Sequence, residues 1–287
     1  MQKAIVRMMG LLVVFGCFVY AETQNAILFS WDGTQRKHLE ELLAKEKLPV
    51  IKMLKNSGGY VEITVKGHGT VTSATHAEML TGLPPKQNNV YANERYAPIP
   101  EGLTIGERLE VFLGKDNIVT VMIMGKINYM GAKGPEELKD AKVPKYLKKG
   151  QPYYNAKKNI DEWIGDIRRD DETVIVEALK CIERYKDKRF FMFFHLPDVD
   201  VNGHAHGENS PEYENAIINC DTLAGKVIDK LKQFNIYDKT LVYVTADHGF
   251  NEATNNHPDA PDVFLATNDK EVKKNGLQAD ITPTILV

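Results

Sequence analysis

Cysteine is scarce, with three in 287 residues, and one of them, Cys17, lies in an apolar N-terminal stretch. Cys181 and Cys220 are too few and too far apart for a zinc–sulfur site or a disulfide framework. They read either as two buried thiols or as a single bridge formed in an oxidising compartment. Positive charge is not in excess: 36 Lys and Arg stand against 39 Asp and Glu, a net charge of −3. That removes the electrostatic basis for binding a nucleic-acid polymer. Beyond the first twenty residues no apolar run is long enough to cross a bilayer, and there is no repeat or low-complexity tract. Hydrophobic residues at 43% and charged residues at 26% exclude disordered, collagenous and coiled-coil classes. The length suits one large α/β domain, whose core needs no disulfide or metal merely to fold.

Residues 1–21 read as a secretory signal peptide. Lys3 and Arg7 form the basic flank, residues 8–20 the apolar run, and Val19 and Ala21 the small-residue pattern before Glu22. This predicts a secreted or periplasmic protein in which residues 22–287 fold, with no membrane span after cleavage. An uncleaved signal anchor, or a lipoprotein site at Cys17 after Val14-Phe15-Gly16, is the alternative; Phe15 fits a lipobox badly.

Strands alternate with helices over the rest of the chain. Residues 26–31, 60–65, 117–124, 189–196, 240–246 and 263–267 read as strands. Residues 35–54 (broken near Pro49), 72–80, 105–112, 172–185 and 211–234 read as helices, with Thr104 and Glu107 as a capping box. Residues 131–160, lysine-rich and without a period, read as a surface excursion or small cap. The alternation predicts a mostly parallel sheet covered by helices on both faces.

In open α/β sheets ligands bind beyond the carboxyl ends of the strands. Asp32 follows the first strand directly. Asp198, Asp200 and His204 follow the strand at 189–196. Asp247 and His248 follow the strand at 240–246, and His257 lies in the next loop. An Asp-Gly alone is an ordinary turn, and a lone His an ordinary surface or core residue. Carboxylates and imidazoles gathered at several strand ends suit divalent metals such as zinc, in enough number for two ions. The segment 67–76, GHGTVTSATH, leads hydroxyls into a helix N-terminus, where free N–H groups favour anions. Propensity does not rank Thr70, Thr72, Ser73 and Thr75, each of which could equally be an N-cap.

These segments, in this order, resemble the alkaline phosphatase superfamily, and within it the type I phosphodiesterase/nucleotide pyrophosphatase and sulfatase-like branch. The run TSATHAEMLTG at 72–82 is similar to the nucleophile pattern, DVNGH at 200–204 to the D-x-x-G-H metal motif, and TADHG at 245–249 to x-x-D-H-G. Asp32-Gly33 matches the first metal-binding Asp, and DITPT at 280–284 the family's D-I-x-P-T. The resemblance implies an alkaline phosphatase-like three-layer sandwich with a small cap insertion at about 86–165. It implies Thr72 as nucleophile and two divalent ions, zinc first among the candidates. One ion would take Asp32, Asp247, His248 and Thr72; the other would take Asp200, His204 and His257. Two such ions stabilise both oxygens of an in-line displacement.

The resemblance further implies a substrate contact for Thr75 and Lys126 and supporting roles for His76, Asp198 and His206. Thr75 replaces an Asn frequent in the diesterases. Lys126 stands in a segment loosely similar to a sulfatase G-K-W-H-x-G. The function so implied is hydrolysis of a small phosphate ester, diester or monoester. The alternatives are a sulfatase-like hydrolase of another ester and a non-catalytic metal- or anion-binding protein. A Thr cannot become the formylglycine that sulfatases require, which favours phosphoesters. A cofactor-independent mutase would use Ser and work in the cytosol. Oligomeric state is left open. Relatives continue beyond an end such as Val287, so the expectation is either a minimal cap and tail or a truncated sequence.

Overall fold

The computed structural model describes residues 24–139 and 144–286; the expected signal peptide at 1–21 lies outside the described residues. The strands are β1 (Asn25–Trp31), β2 (Gly59–Thr64), β3 (Val90–Ala92), β4 (Arg95–Tyr96), β5 (Val119–Ile123), β6 (Glu162–Ile164), β7 (Phe190–Leu196), β8 (Thr240–Thr245), β9 (Asp262–Thr267) and β10 (Gly276–Leu277). The helices are α1 (Arg36–Ala44), α2 (Pro49–Ser57), α3 (Thr72–Thr81), α4 (Pro85–Asn88), α5 (Ile105–Leu113), α6 (Ile127–Met130), α7 (Pro135–Leu138), α8 (Tyr154–Lys157), α9 (Asp171–Tyr185), α10 (Asp198–His206), α11 (Pro211–Gln233) and α12 (Ile281–Leu286).

Eight strands form one sheet in the order β10-β2-β9-β8-β1-β7-β5-β6, and β3 and β4 form a separate hairpin. All pairings in the large sheet are parallel except those of β9, which runs against both β2 and β8. The central strands are apolar on both faces: every residue of β7, FFMFFHL, is buried. A strand covered on both sides must read as a continuous apolar run. Phe29 and Phe194 meet edge to face at 5.2 Å across β1 and β7. In β2, by contrast, outward residues are exposed or half-buried, hence its alternating sequence.

Helices cover both faces. His76 of α3 packs against Phe193 of β7. Gly106 of α5 lies so close to Thr120, Met122 and Ile160 that an added Cβ would meet Ile160 at 2.6 Å. Phe193 pairs with Met122 in register, so α3 and α5 share one face. α2, α11 and α9 pack side by side as the other layer. Among the described residues no helix is long and apolar enough to cross a membrane.

The expected elements are present with small boundary shifts. Three features were not anticipated: helix α10, the short edge strands β6 and β10, and the β3–β4 hairpin. Strand β6 lies just beyond the lysine-rich excursion at 131–160 but inside the expected cap range of 86–165, which also contains β5. That range therefore supplies two strands of the main sheet besides the short helices α6, α7 and α8. The signal was weak because β6 has only three residues, all half-buried.

Candidate active site

The carboxyl ends of the parallel strands carry the polar cluster, as the rule for such sheets requires. Asp32 leaves β1 with its N–H donated to Leu196 O at 2.9 Å. Gly33 follows at φ +78 and donates its N–H to Asp247 Oδ1 at 3.0 Å. Tyr213 of α11 pins this turn, donating its hydroxyl to Gly33 O at 2.6 Å. Asp247 and His248 leave β8 and are fully buried. Asp200 and His204 sit one turn apart on α10, so the i, i+4 spacing brings Nε2 of His204 within 3.4 Å of Asp200 Oδ1. His257 arrives from the loop after β8, with its Nε2 3.5 Å from Asp200 Oδ1 and 3.1 Å from His204 Nε2.

Two ligand-like sets result: Asp32, Asp247 and His248, and Asp200, His204 and His257. In each the candidate atoms lie within 4.8 Å of one another. Nδ1 of His248 faces Gly249 O at 2.9 Å, Nδ1 of His204 faces Asn255 O at 2.8 Å, and Nδ1 of His257 faces Thr70 O at 2.7 Å. A carbonyl only accepts, so each Nδ1 carries the proton and each Nε2 keeps its lone pair. All three Nε2 atoms then point into a carboxylate cluster. The buried atoms Asp32 Oδ1, Asp200 Oδ1 and His248 Nε2 have no hydrogen-bond partner. Lone pairs and carboxylate oxygens converging without donors are what a divalent cation satisfies. The residues fit two such ions.

A third set, Asp32, His76 and His195, does not fit a metal. His195 Nδ1 accepts the Gly125 N–H at 3.1 Å, which leaves Nε2–H to donate to Asp32 Oδ2 at 2.8 Å. His76 donates Nδ1–H to Thr72 O and accepts the Ser30 hydroxyl, both at 2.8 Å. Every ring nitrogen is spoken for, so this is a scaffold that orients Asp32 and the start of α3.

Lys126 supplies positive charge inside the cluster. Its Nζ is 2.8 Å from Asp32 Oδ2 and also contacts Asp200 Oδ2. Burial opposes its charge, but Asp32, Asp200 and Asp247 together raise its pKa. Burial and the Asp32 charge push the Asp200 carboxyl up; Lys126, His204 and His248 outweigh them and hold it at about 2. Asp247 goes the other way: burial, reinforced by Asp32, raises it to about 7. Burial lowers His257 to about 4, which keeps its imidazole neutral.

Thr72 opens α3, where the Ala74 and Thr75 N–H groups both turn back to Val71 O at 3.1 Å. It lines a cleft of about 470 Å³ with Asn93, Lys126, Asn128, Tyr129, Arg168 and the Asp200, His204 and His257 set. Asn93, in the β3–β4 turn, accepts the Ser73 N–H at 2.9 Å on Oδ1, which leaves its amide N–H groups for the cleft. The other expected residues are placed as follows. His76 supports Thr72 through its backbone carbonyl. Thr75 turns away from the cleft and donates to Val71 O at 3.0 Å and Asp247 Oδ2 at 3.2 Å. Asp198 accepts the Asp171 N–H at 3.1 Å while Asp171 accepts the Asp198 N–H at 3.0 Å, so it joins α9 to α10 rather than touching a ligand-like residue. His206 is exposed and lines an outer depression with Asn209 and Thr254. Cys181 and Cys220 are separate buried thiols. Sequence reasoning missed Asn93 and Arg168, which no motif marks. Asp200 and His204 were readable from their place after the 189–196 strand and from the D-x-x-G-H resemblance, but not their helical i, i+4 pairing on α10.

The chain is 26% identical over 240 residues to human ectonucleotide pyrophosphatase/phosphodiesterase family member 1, covering 81% of this chain and 24% of that protein. It is 26% identical over 238 residues to the venom phosphodiesterase CdcPDE of Crotalus durissus collilineatus, covering 80% of this chain and 27% of that one. The chain thus spans about a quarter of the length of these relatives. Among solved structures, alkaline phosphatase from the Antarctic bacterium TAB5 shares the fold at TM-score 0.62 and 14% identity, covering 92% of this chain and 98% of that one. Murine ectonucleotide pyrophosphatase/phosphodiesterase 5 superposes at TM-score 0.52 and 18% identity, covering 80% and 59%. The type I phosphodiesterase/nucleotide pyrophosphatase model matches residues 26–285, and the chain belongs to that family.

Proposed function

We propose that this protein is a hydrolase of small phosphate esters, with Thr72 as nucleophile and two divalent cations as cofactors. The observation that carries the reading is the set of buried, partnerless atoms, Asp32 Oδ1, Asp200 Oδ1 and His248 Nε2, beside a cleft that Thr72 lines. Asp32, Asp247 and His248, with Thr72, would hold one ion and Asp200, His204 and His257 the other. Imidazole with carboxylate suits zinc. Such ions act as Lewis acids on the ester's oxygens and ease loss of the Thr72 proton.

The chain's own groups do the rest. The Thr72 N–H, at the N-terminus of α3, would serve a phosphate oxygen. The Asn93 amide reaches the same cleft, and the Lys126 ammonium adds charge against a substrate anion. Thr72 Oγ forms a bond to phosphorus as the ester oxygen departs. Water then cleaves the phospho-threonine and restores the hydroxyl. The relatives' names favour diesters and pyrophosphates as the first substrates to try. Residues 86–165, which contribute Asn93 and Lys126 to Tyr129, would set selectivity. Export through the leader at 1–21 places the enzyme outside the cytosol.

The test is hydrolysis of bis-nitrophenyl phosphate, nitrophenyl phosphate and nitrophenyl sulfate by the wild type and by Thr72→Ala. The wild type should turn over at least one phosphate ester, and the variant none. Full activity in Thr72→Ala would overturn the nucleophile assignment, and turnover of the sulfate alone would overturn the phosphoester preference.

A further inference from the structure

We infer that the buried pair Glu208–His38 is a positioning device that clamps the 251–257 loop to the end of α10, presenting His204 and His257 as a preformed pair for the second cation. This rests on the two-ion reading and adds how one of its two sites is built. Glu208 is 0% exposed and His38 4%, and neither touches the ligand-like residues. The Glu208 carboxylate is fully engaged. Oε2 contacts His38 Nε2, and Oε1 accepts both the Asn209 amide at 2.6 Å and the backbone N–H of Ala253. The Glu208 N–H in turn donates to Thr254 O at 3.1 Å. Two neighbouring loop residues are thus tied to one residue just beyond α10.

The tie has a geometric consequence. Ala253 sits at φ +56, a left-handed conformation that a non-glycine residue holds only when its surroundings require it. From there Asn255 reaches α10, where its carbonyl accepts His204 Nδ1–H at 2.8 Å and its amide donates to His204 O at 3.3 Å. The loop that carries His257 therefore also selects the His204 tautomer. Thr70 completes the arrangement by accepting His257 Nδ1–H on its carbonyl and donating its hydroxyl to His257 O. His38 belongs to α1 and stacks edge-on against Tyr213 of α11 at 5.5 Å. The clamp is thereby anchored in the packed helical layer, not in the loop itself. A buried carboxylate in an otherwise apolar layer needs such partners, and a surface loop would not.

The experiment is calorimetric titration of metal-stripped full-length protein with Zn²⁺, for the wild type, Glu208→Ala and Glu208→Gln. Wild type should take up two ions. Glu208→Ala should keep one at wild-type affinity and bind the other roughly 10–100-fold more weakly, as loss of an outer-shell partner does. Glu208→Gln, which keeps an acceptor for Ala253 N–H, should recover most of that loss. Two ions bound equally well by Glu208→Ala, or equal weakening at both sites, overturns the positioning role. A wild type that binds no ion overturns the two-ion reading itself. Hydrogen exchange of the metal-stripped wild type gives an arm that needs no variant. The Ala253 amide, held by Glu208, and the Thr254 amide, held by Asn251 O at 3.2 Å, should already be protected, and free exchange at both overturns a preformed clamp.

Discussion

Nζ of Lys126 stands 2.8 Å from Oδ2 of Asp32, and the same ammonium contacts Asp200. A single side chain, three residues beyond the end of β5, thus joins a carboxylate of each ligand-like set. A built-in cation holds the two half-sites together and competes with the ions they suit.

Lys126→Met should therefore act oppositely in two conditions. With chelator present, loss of one partner from a buried pair should lower stability by about 3–5 kcal/mol. With excess Zn²⁺ the deficit should shrink, and ion affinity should rise. Thermal unfolding with and without metal measures both, and an equal loss in the two conditions would contradict the competition.

Gly33→Ala should damage the site without touching a ligand. Gly33 lies at φ +78, and a Cβ there would meet Cβ and Cα of Asp200 at 2.8 and 2.9 Å. The strain and the displaced α10 should lower stability by about 1–3 kcal/mol and weaken Zn²⁺ binding at the Asp200 set more than at the Asp247 set. Calorimetric titration distinguishes the two sets, and unchanged binding at both would sink the expectation.

Asn93→Ala should lower kcat/KM toward bis-nitrophenyl phosphate by on the order of 100-fold, the usual effect of removing one donor to a developing oxyanion. Asn93→Asp keeps the acceptor for Ser73 N–H but adds negative charge to the cleft. It should be at least as impaired. An active Asp variant beside an inactive Ala variant would mean that Asn93 serves only to hold α3.

Asp171 provides a pH test away from the cleft. Burial, then the Asp198 charge, raises its carboxyl from 3.8 to about 7. The folded state holds this proton more tightly than the unfolded chain. Its contribution to stability is therefore full below about pH 4, declines as pH rises toward 7, and is constant above. Asp171→Asn should remove that decline. Urea midpoints of metal-stripped protein from pH 4.5 to 7.5 should converge at the acid end and favour the variant near neutrality.

Much of this was readable in one dimension, and the residues say why. β7 announces itself because a doubly covered strand has no polar face. Thr104 and Glu107 mark a helix start because Glu107 reaches back to the Thr104 N–H at 3.1 Å. Asp32, Asp200, Asp247 and His248 could be placed on one edge because strand ends in a parallel sheet share it, while their division into two sets was implied by the family resemblance. β6 and β10 escaped notice because two or three residues carry no period. Asn93 escaped because its amide matters only once the hairpin folds over α3.

The sequence alone determined the order of elements, the strand-end placement of carboxylates and imidazoles, and the family they resemble. The first two follow from local periodicity and covalent spacing, the third from similarity of motifs in a matching order. Only the tertiary structure decided which nitrogen of each His keeps its lone pair, that Thr75 faces Asp247, and that Lys126 bridges Asp32 and Asp200. It alone placed Glu208 and His38 together, 170 residues apart in the chain. The reason is physical. Tautomers, ion pairs and buried carboxylates are settled by whichever partners long-range packing brings within hydrogen-bond reach, and no spacing along the chain encodes that distance.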